Sequence, residues 1–177
     1  GSADPAALLH LDVVAAAAAP EAGAAARGLL SANRQLGLLL AATGALIDGA
    51  AVDSHAPAGV GAGLGLGALA DLVLARDAAG QAVALGSTAD VQAVMQASVT
   101  DANSAGVTQG LRASDVADLR LLSGVVAGYN AQVDSSTLAG AQSATAIATL
   151  RAASDALLPA LRQSGGQAAD SRGGDLS

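Results

Sequence analysis

An all-α bundle of four to six helices is the architecture this sequence predicts, and three observations predict it. Over half of the 177 residues are hydrophobic, yet the apolar content is nearly all Ala, Leu and Val, and Ala and Leu are strong helix formers. Apolar residues recur at helical spacing in several separate stretches. Gly, Pro, Ser and Asp clusters punctuate the chain between them. There is no Phe, Trp, Cys or Lys, one Tyr (Tyr129) and one Met (Met95). Such a core has small side chains. A buried Leu contributes about 2 kcal/mol by transfer and a buried Ala well under half of that. Stability must then come from many close contacts, helix propensity or self-association.

The elements follow in order. Residues 3–18 read as a short helix with Leu8, Leu9, Leu11, Val13 and Val14 on its apolar face, and Pro20 ends it or starts the next element. Residues 21–48 are the clearest helix. Leu29, Leu30, Leu36, Leu38, Leu39, Leu40, Leu46 and Ile47 cover much of its circumference, so most of it should be buried. Gly23, Gly28, Gly37 and Gly44 recur inside it. Glycine is costly in a helix, and tight packing of another backbone is the better rationale for keeping it. Residues 53–67, with Asp53, Ser54, Pro57 and glycines at 59, 61, 63, 65 and 67, read as a Gly-rich loop or hinge.

Residues 68–86 admit two readings. Ala68–Ala79 followed by Gly80 reads as a helix with a glycine cap. Leu72, Leu74, Val83 and Leu85 also alternate as a β-hairpin would, and that hairpin at 72–85 would seed a small sheet in an α+β alternative. Ser87 or Thr88 then caps a helix, and Ser87 to Asp90 approximates a capping box. Val91, Val94, Met95, Ser98 and Val99 form its stripe, and Gly106 and Gly110 weaken its end. Ser114 opens another helix, lined by Val116, Leu119, Leu122, Val126 and Tyr129. A last helix spans about 138–163, disturbed near Pro159. The expected organisation is one helical domain over residues 3–163 and a flexible Gly-, Ser- and Asp-rich tail over 164–177.

Charge narrows function. The net charge of −7 comes from fourteen Asp, one Glu and eight Arg, scattered without a run of one sign. A basic stripe and aromatic stacking platforms are missing, which disfavours nucleic-acid binding. No stretch supplies the ~20 apolar residues of a membrane span, so stable membrane insertion is not expected. Zero Cys removes disulfides and thiolate chemistry.

Motifs with possible chemistry are weak. Gly63-Leu64-Gly65-Leu66-Gly67-Ala68 satisfies G-x-G-x-x-A, with Asp90 at about the right distance beyond it, but a strand should run into the first glycine and a loop-like segment stands there instead. Asp53, Ser54 and His55 are hydrolase residue types, but adjacent residues do not converge as a triad must. His10 and His55 lack metal-ligand spacing. Asp115 and Asp118 fit the first turn of a helix, where carboxylates complement the dipole. Arg120, Arg151 and Arg162 read as solvent-facing partners of nearby Asp. No catalytic, cofactor or metal residue is therefore assigned.

The more substantial signal is distributed. Small residues repeat on apolar faces at Gly37 and Gly44, at Gly124 and Gly128, and along Ala139 to Ala148. Gly124-Val125-Val126-Ala127-Gly128 is a G-x-x-x-G pattern of close helix–helix packing, and Tyr129 beside it is a handle for a partner or the edge of the core. The sequence points to a non-enzymatic interaction or self-assembly protein, with a protein partner or a homo-oligomer, and Gly124, Gly128 and Tyr129 as candidate contact residues. The alternative is a sensory or ligand-binding module cut from a larger protein, which the hairpin would favour.

Overall fold

The structure is a computed structural model, and it describes residues 23–51, 57, 59–108, 111, 116, 119–133, 152 and 155–168. Five helices stand in this set: α1 (Gly23–Ala50), α2 (Val60–Ala78), α3 (Thr88–Ser104), α4 (Leu119–Gln132) and α5 (residues 155–168). No strand occurs among the described residues. The all-α bundle is therefore the fold, and the α+β alternative is overturned. Residues 72–78 are the last turns of α2, and 79–87 form a loop rather than a returning strand. The alternation that imitated a hairpin has a helical explanation. Leu72 turns toward the core and Leu74 toward solvent, while Val83 and Leu85 pack onto the core from the loop. The helix expected at 3–18 and most of the stretch 134–151 lie outside the described residues.

Two of the helices end in the same way, for a reason visible in the sequence. Gly80 takes φ 67° one residue past the C-cap Ala79 of α2. Its N–H donates to Asp77 O at 2.9 Å, and Gln81 N–H donates to Arg76 O at 2.8 Å. That pair of bonds is the Schellman closure, which satisfies carbonyls the helix end leaves unpaired. Gly106, at φ 72°, repeats it after α3, with Gly106 N–H to Asn103 O at 3.0 Å and Val107 N–H to Ala102 O at 2.9 Å. Replacing Gly80 or Gly106 by Ala should lower stability by about 1–2 kcal/mol each, the penalty of a Cβ in the left-handed region, read as a shift in denaturant midpoint without a change in slope.

Helix α1 is the element around which the others pack. From Ala42 to Ile47 every residue is buried, as expected of a helix that is apolar around its circumference. Its first half meets α4. Ser31 Oγ donates to Val133 O, and Gln35 Nε2 donates to Asn130 O at 2.7 Å. Its second half meets α2 antiparallel. A Cβ placed on Gly61 would sit 2.9 Å from Gly44 Cα and 3.0 Å from Ile47 Cβ, and one on Gly65 would sit 3.1 Å from Thr43 Cγ2. The last turn of α1 meets α5, where a Cβ on Gly49 would strike Arg162 O and one on Gly165 would strike Leu46 O. Tight backbone packing at Gly44 is thus realised, whereas Gly28 and Gly37 face open space.

This arrangement corrects the expected hinge. The glycines at 61, 63, 65 and 67 are helical, inside α2, which begins at Val60. Gly59, at φ 85°, is the N-cap residue of α2, and its carbonyl accepts from Gly63 N–H at 2.9 Å. Contact with α1 keeps so glycine-rich a segment helical: the loss in propensity is offset where the missing side chains let two backbones approach. The glycines of α2 accordingly divide by face, with Gly61 and Gly65 against α1 and Gly63 and Gly67 in open space. Gly61→Ala should destabilise by about 1–3 kcal/mol through overpacking. Gly63→Ala, two residues on, should stabilise by up to about 1 kcal/mol through helix propensity. Thermal denaturation of the matched pair checks the opposite signs.

The helices α1 to α4 form a ring in chain order, α1 touching α2 and α4, α3 touching α2 and α4, and α1 and α3 meeting across the middle. Helices α2 and α4 occupy opposite corners and do not touch among the described residues. The stripe Val91, Val94, Met95, Ser98 and Val99 of α3 is buried throughout, as its spacing predicts. Helix α4 starts at Leu119, later than the Ser114 opening expected from sequence, and residues 112–115 lie outside the described set. The last helix runs through Pro159 and continues to residue 168, beyond the expected start of a tail at 164. Gly165 and Ala168 are buried in it.

Candidate functional site

Three polar clusters hold the loops of the bundle. The first joins α2 to α3. Arg76, in the last turn of α2, sends one guanidinium nitrogen to Asp90 Oδ1 at 2.6 Å and the other to Gln81 Oε1 at 2.6 Å. Asp90 Oδ2 accepts from Ala84 N–H at 2.9 Å. Asp90 is buried at the start of α3. Of the two cap candidates, Ser87 and Thr88, Ser87 is the N-cap residue, but it makes no side-chain cap bond. The carboxylate at the third helical position turns instead to the loop and to Arg76, so the capping box is replaced by a clamp on residues 76–90.

The second cluster centres on Asn130 of α4, which is 0% exposed. Its Nδ2 donates to Leu85 O at 2.9 Å, and its backbone carbonyl accepts from Gln35. Its Oδ1 is buried without a hydrogen-bond partner. The third closes the turn after α3: Asn103 Nδ2 donates to Leu111 O, and Thr108 Oγ1 donates to Asn103 Oδ1 at 2.7 Å. Sequence reading did not single out Arg76 or Asn130. A signal for Asn130 exists, because Leu119, Ser123, Val126 and Asn130 fall on one buried helical stripe, and a polar residue there must find a partner.

The candidate contact residues occupy different positions on α4. Gly128 faces open space. Gly124 is half-buried at the edge beside α3, where an added Cβ would come only to 3.8 Å from Thr88. Tyr129 is half-buried and packs on the core cluster. The G-x-x-x-G pattern that makes tight intramolecular contact is the one at Gly61 and Gly65, not the one at Gly124 and Gly128.

The remaining motifs divide similarly. The G-x-G-x-x-A run begins inside α2, and its glycines point alternately to solvent and to α1. A phosphate cradle needs free amides at a strand-to-helix turn, and amides inside a helix are already bonded. Asp53, Ser54, His55, His10, Asp115, Asp118 and Arg151 lie outside the described residues. Arg120 and Arg162 are exposed. Among the described residues no group of three His, Cys, Asp or Glu could hold a metal, and no helix is long and apolar enough to cross a membrane.

Five large apolar side chains face outward among the described residues. Leu66, Val73 and Leu74 of α2 and Leu121 and Val125 of α4 face solvent, with Leu74 67% and Leu121 64% exposed. On α2 these residues share one stripe with Gly63, Gly67 and Ala70, at spacings of three, four and seven. On α4, Leu121, Val125 and Gly128 do the same. No protein family, curated protein or solved structure matches this chain.

Removing the clamp isolates its contribution. Asp90→Ala leaves Ala84 N–H and the Arg76 guanidinium without their acceptor and should lower stability by about 1–3 kcal/mol. The loop at 79–87 should also become susceptible to limited proteolysis. Wild-type resistance to cleavage in the variant would contradict a clamping role.

Proposed function

We propose that this protein is a non-enzymatic helical interaction or self-assembly protein. The observation that carries the reading is the set of large hydrophobic side chains facing solvent on α2 and α4. Contiguous exposed apolar surface on a soluble chain commonly marks an association site. Two further features support it. The small residues on inner faces are spent on packing α1 against α2 and α5, so contact with a partner falls to the outer faces. A core poor in large side chains also gains from added burial on association. The alternative, a sensory or ligand-binding module, drew its sequence support from a hairpin at 72–85, and α2 occupies the first half of that segment.

Absolute mass by light scattering across a concentration series tests the reading. The mass should rise above the 16.7 kDa of the single chain as concentration increases, and the association should show the negative heat-capacity change of apolar burial. A constant 16.7 kDa at every concentration, together with failure to bind any protein partner, would refute it.

A further inference from the structure

We propose that the loop at 79–87 fills, in cis, a seat between the start of α3 and the end of α4 that binds an extended apolar segment of a partner protein, so that the loop is a displaceable strap. The inference rests on the reading of this chain as an interaction protein, but neither on self-association nor on the outward faces of α2 and α4.

The observation that carries it is an unpaired acceptor. Asn130 is 0% exposed. It donates from Nδ2 to Leu85 O at 2.9 Å, while its Oδ1 is buried with no partner. A buried carboxamide calls for both a donor and an acceptor beside it. The loop supplies only the acceptor, and its conformation is the reason. Ser87 N–H donates to Ala84 O at 2.8 Å, which makes Leu85 and Gly86 the central residues of a β-turn. The N–H and C=O of such a turn residue diverge. In an extended residue they point to the same side, as in the hydrogen-bonded pairs of an antiparallel ladder. An extended residue in the place of Leu85 therefore meets Nδ2 with its C=O and Oδ1 with its N–H, and the whole amide is paired.

Side-chain spacing fits the same ligand. Within 79–86 only Val83 and Leu85 are half-buried, packing on the core, and the other residues are exposed. Anchors two residues apart lie on one side of an extended chain. Main-chain bonds combined with pockets for alternate side chains are how strands are recognised in trans. The loop is also releasable. It is held by Asp90 Oδ2 on Ala84 N–H, by Asn130 on Leu85 O and by Arg76 on Gln81. The Arg76–Asp90 pair, at 2.6 Å, ties α2 to α3 directly, so the loop can leave while the two helices stay joined.

The test uses a blocked peptide of residues 79–87 carrying Gly86→Val, which favours extended backbone over the turn. The receptors are full-length chains with a weakened strap. One is Leu85→Ser. The other, Ala84→Pro, keeps both anchors and removes the N–H that Asp90 accepts from. Far-UV dichroism and Tm confirm that each is folded. Titration followed by NMR should show saturable binding to both variants, about tenfold tighter than to the wild-type chain, whose tethered strap competes at high effective concentration. Methylating the peptide nitrogen at the Leu85 position should weaken binding about tenfold, the worth of one bond to a buried acceptor, whereas the same methyl at Ala82 should not. Absence of saturable binding to both folded variants overturns the proposal, whatever the mass of the wild-type chain does with concentration. Equal affinity for the variants and the wild type puts the peptide elsewhere and overturns it as well. Binding indifferent to the methyl group at the Leu85 position contradicts the pairing with Asn130 Oδ1, and the proposal falls with it.

Discussion

The fold depends on how closely α1 lets its neighbours approach. Its second half is met by α2 at Gly44 and Gly61 and by α5 at Gly49 and Gly165, and at these points one backbone lies against another with no side chain between. A chain with so few large residues cannot fill wide gaps between helices. It can only close them. The glycines are where the closure happens, and Leu39, Leu46, Ile47 and Met95 occupy the space that remains at the centre. Dispersion is short-ranged, so bringing backbones into contact recovers attraction that small side chains at ordinary interhelical distance would forfeit.

Close packing favours local partners for the polar groups inside, and Asn130 Oδ1 is the exception among the described residues. Three buried hydroxyls find such partners within their own helices: Thr43 donates to Leu39 O at 2.9 Å, Ser98 to Val94 O at 2.7 Å and Ser123 to Leu119 O at 2.7 Å. Small hydroxyl residues therefore behave in this core as small apolar ones do, adding little volume and leaving no unpaired donor. Asn130 and Asp90 act differently. They reach out of their helices to loop backbone at Leu85 and Ala84, and so hold the 79–87 connection on the bundle from both sides. That loop carries Val83 and Leu85 into the core, so its anchoring and the burial of α3 and α4 support each other.

Much of this was legible in the sequence. The stripe of α3 and the all-round apolar pattern of α1 gave both elements and their burial, because helical period is a strong signal over long segments. Gly80 marked the end of α2 in one of the two readings of 68–86, and its positive φ is where the structure puts it. The region at 60–67 was not legible. Its glycines carry poor helix propensity, and what makes them helical is contact with Gly44 and Thr43, residues on another helix that no local pattern reveals. The candidate interface was legible only in part. The small-residue signal at Gly124 and Gly128 led to the outer side of α4, where Gly128 stands open, but the larger exposed stripe on α2 was hidden inside a segment read as hinge and hairpin. Arg76 and Asp90 lie fourteen residues apart, and their pairing emerges only once the loop between them is closed.

The seam along the second half of α1 should be the most stable part of the molecule. Native-state amide hydrogen exchange measures this residue by residue, because local openings expose amides before global unfolding does. The amides of Thr43 to Ile47 should be the slowest to exchange, with an opening free energy equal to that of global unfolding, and those of the outer stripe of α2 near Leu74 should exchange earlier. Faster exchange at Thr43–Ile47 than in α3 or α4 would contradict the account and move the organising core away from the glycine seam.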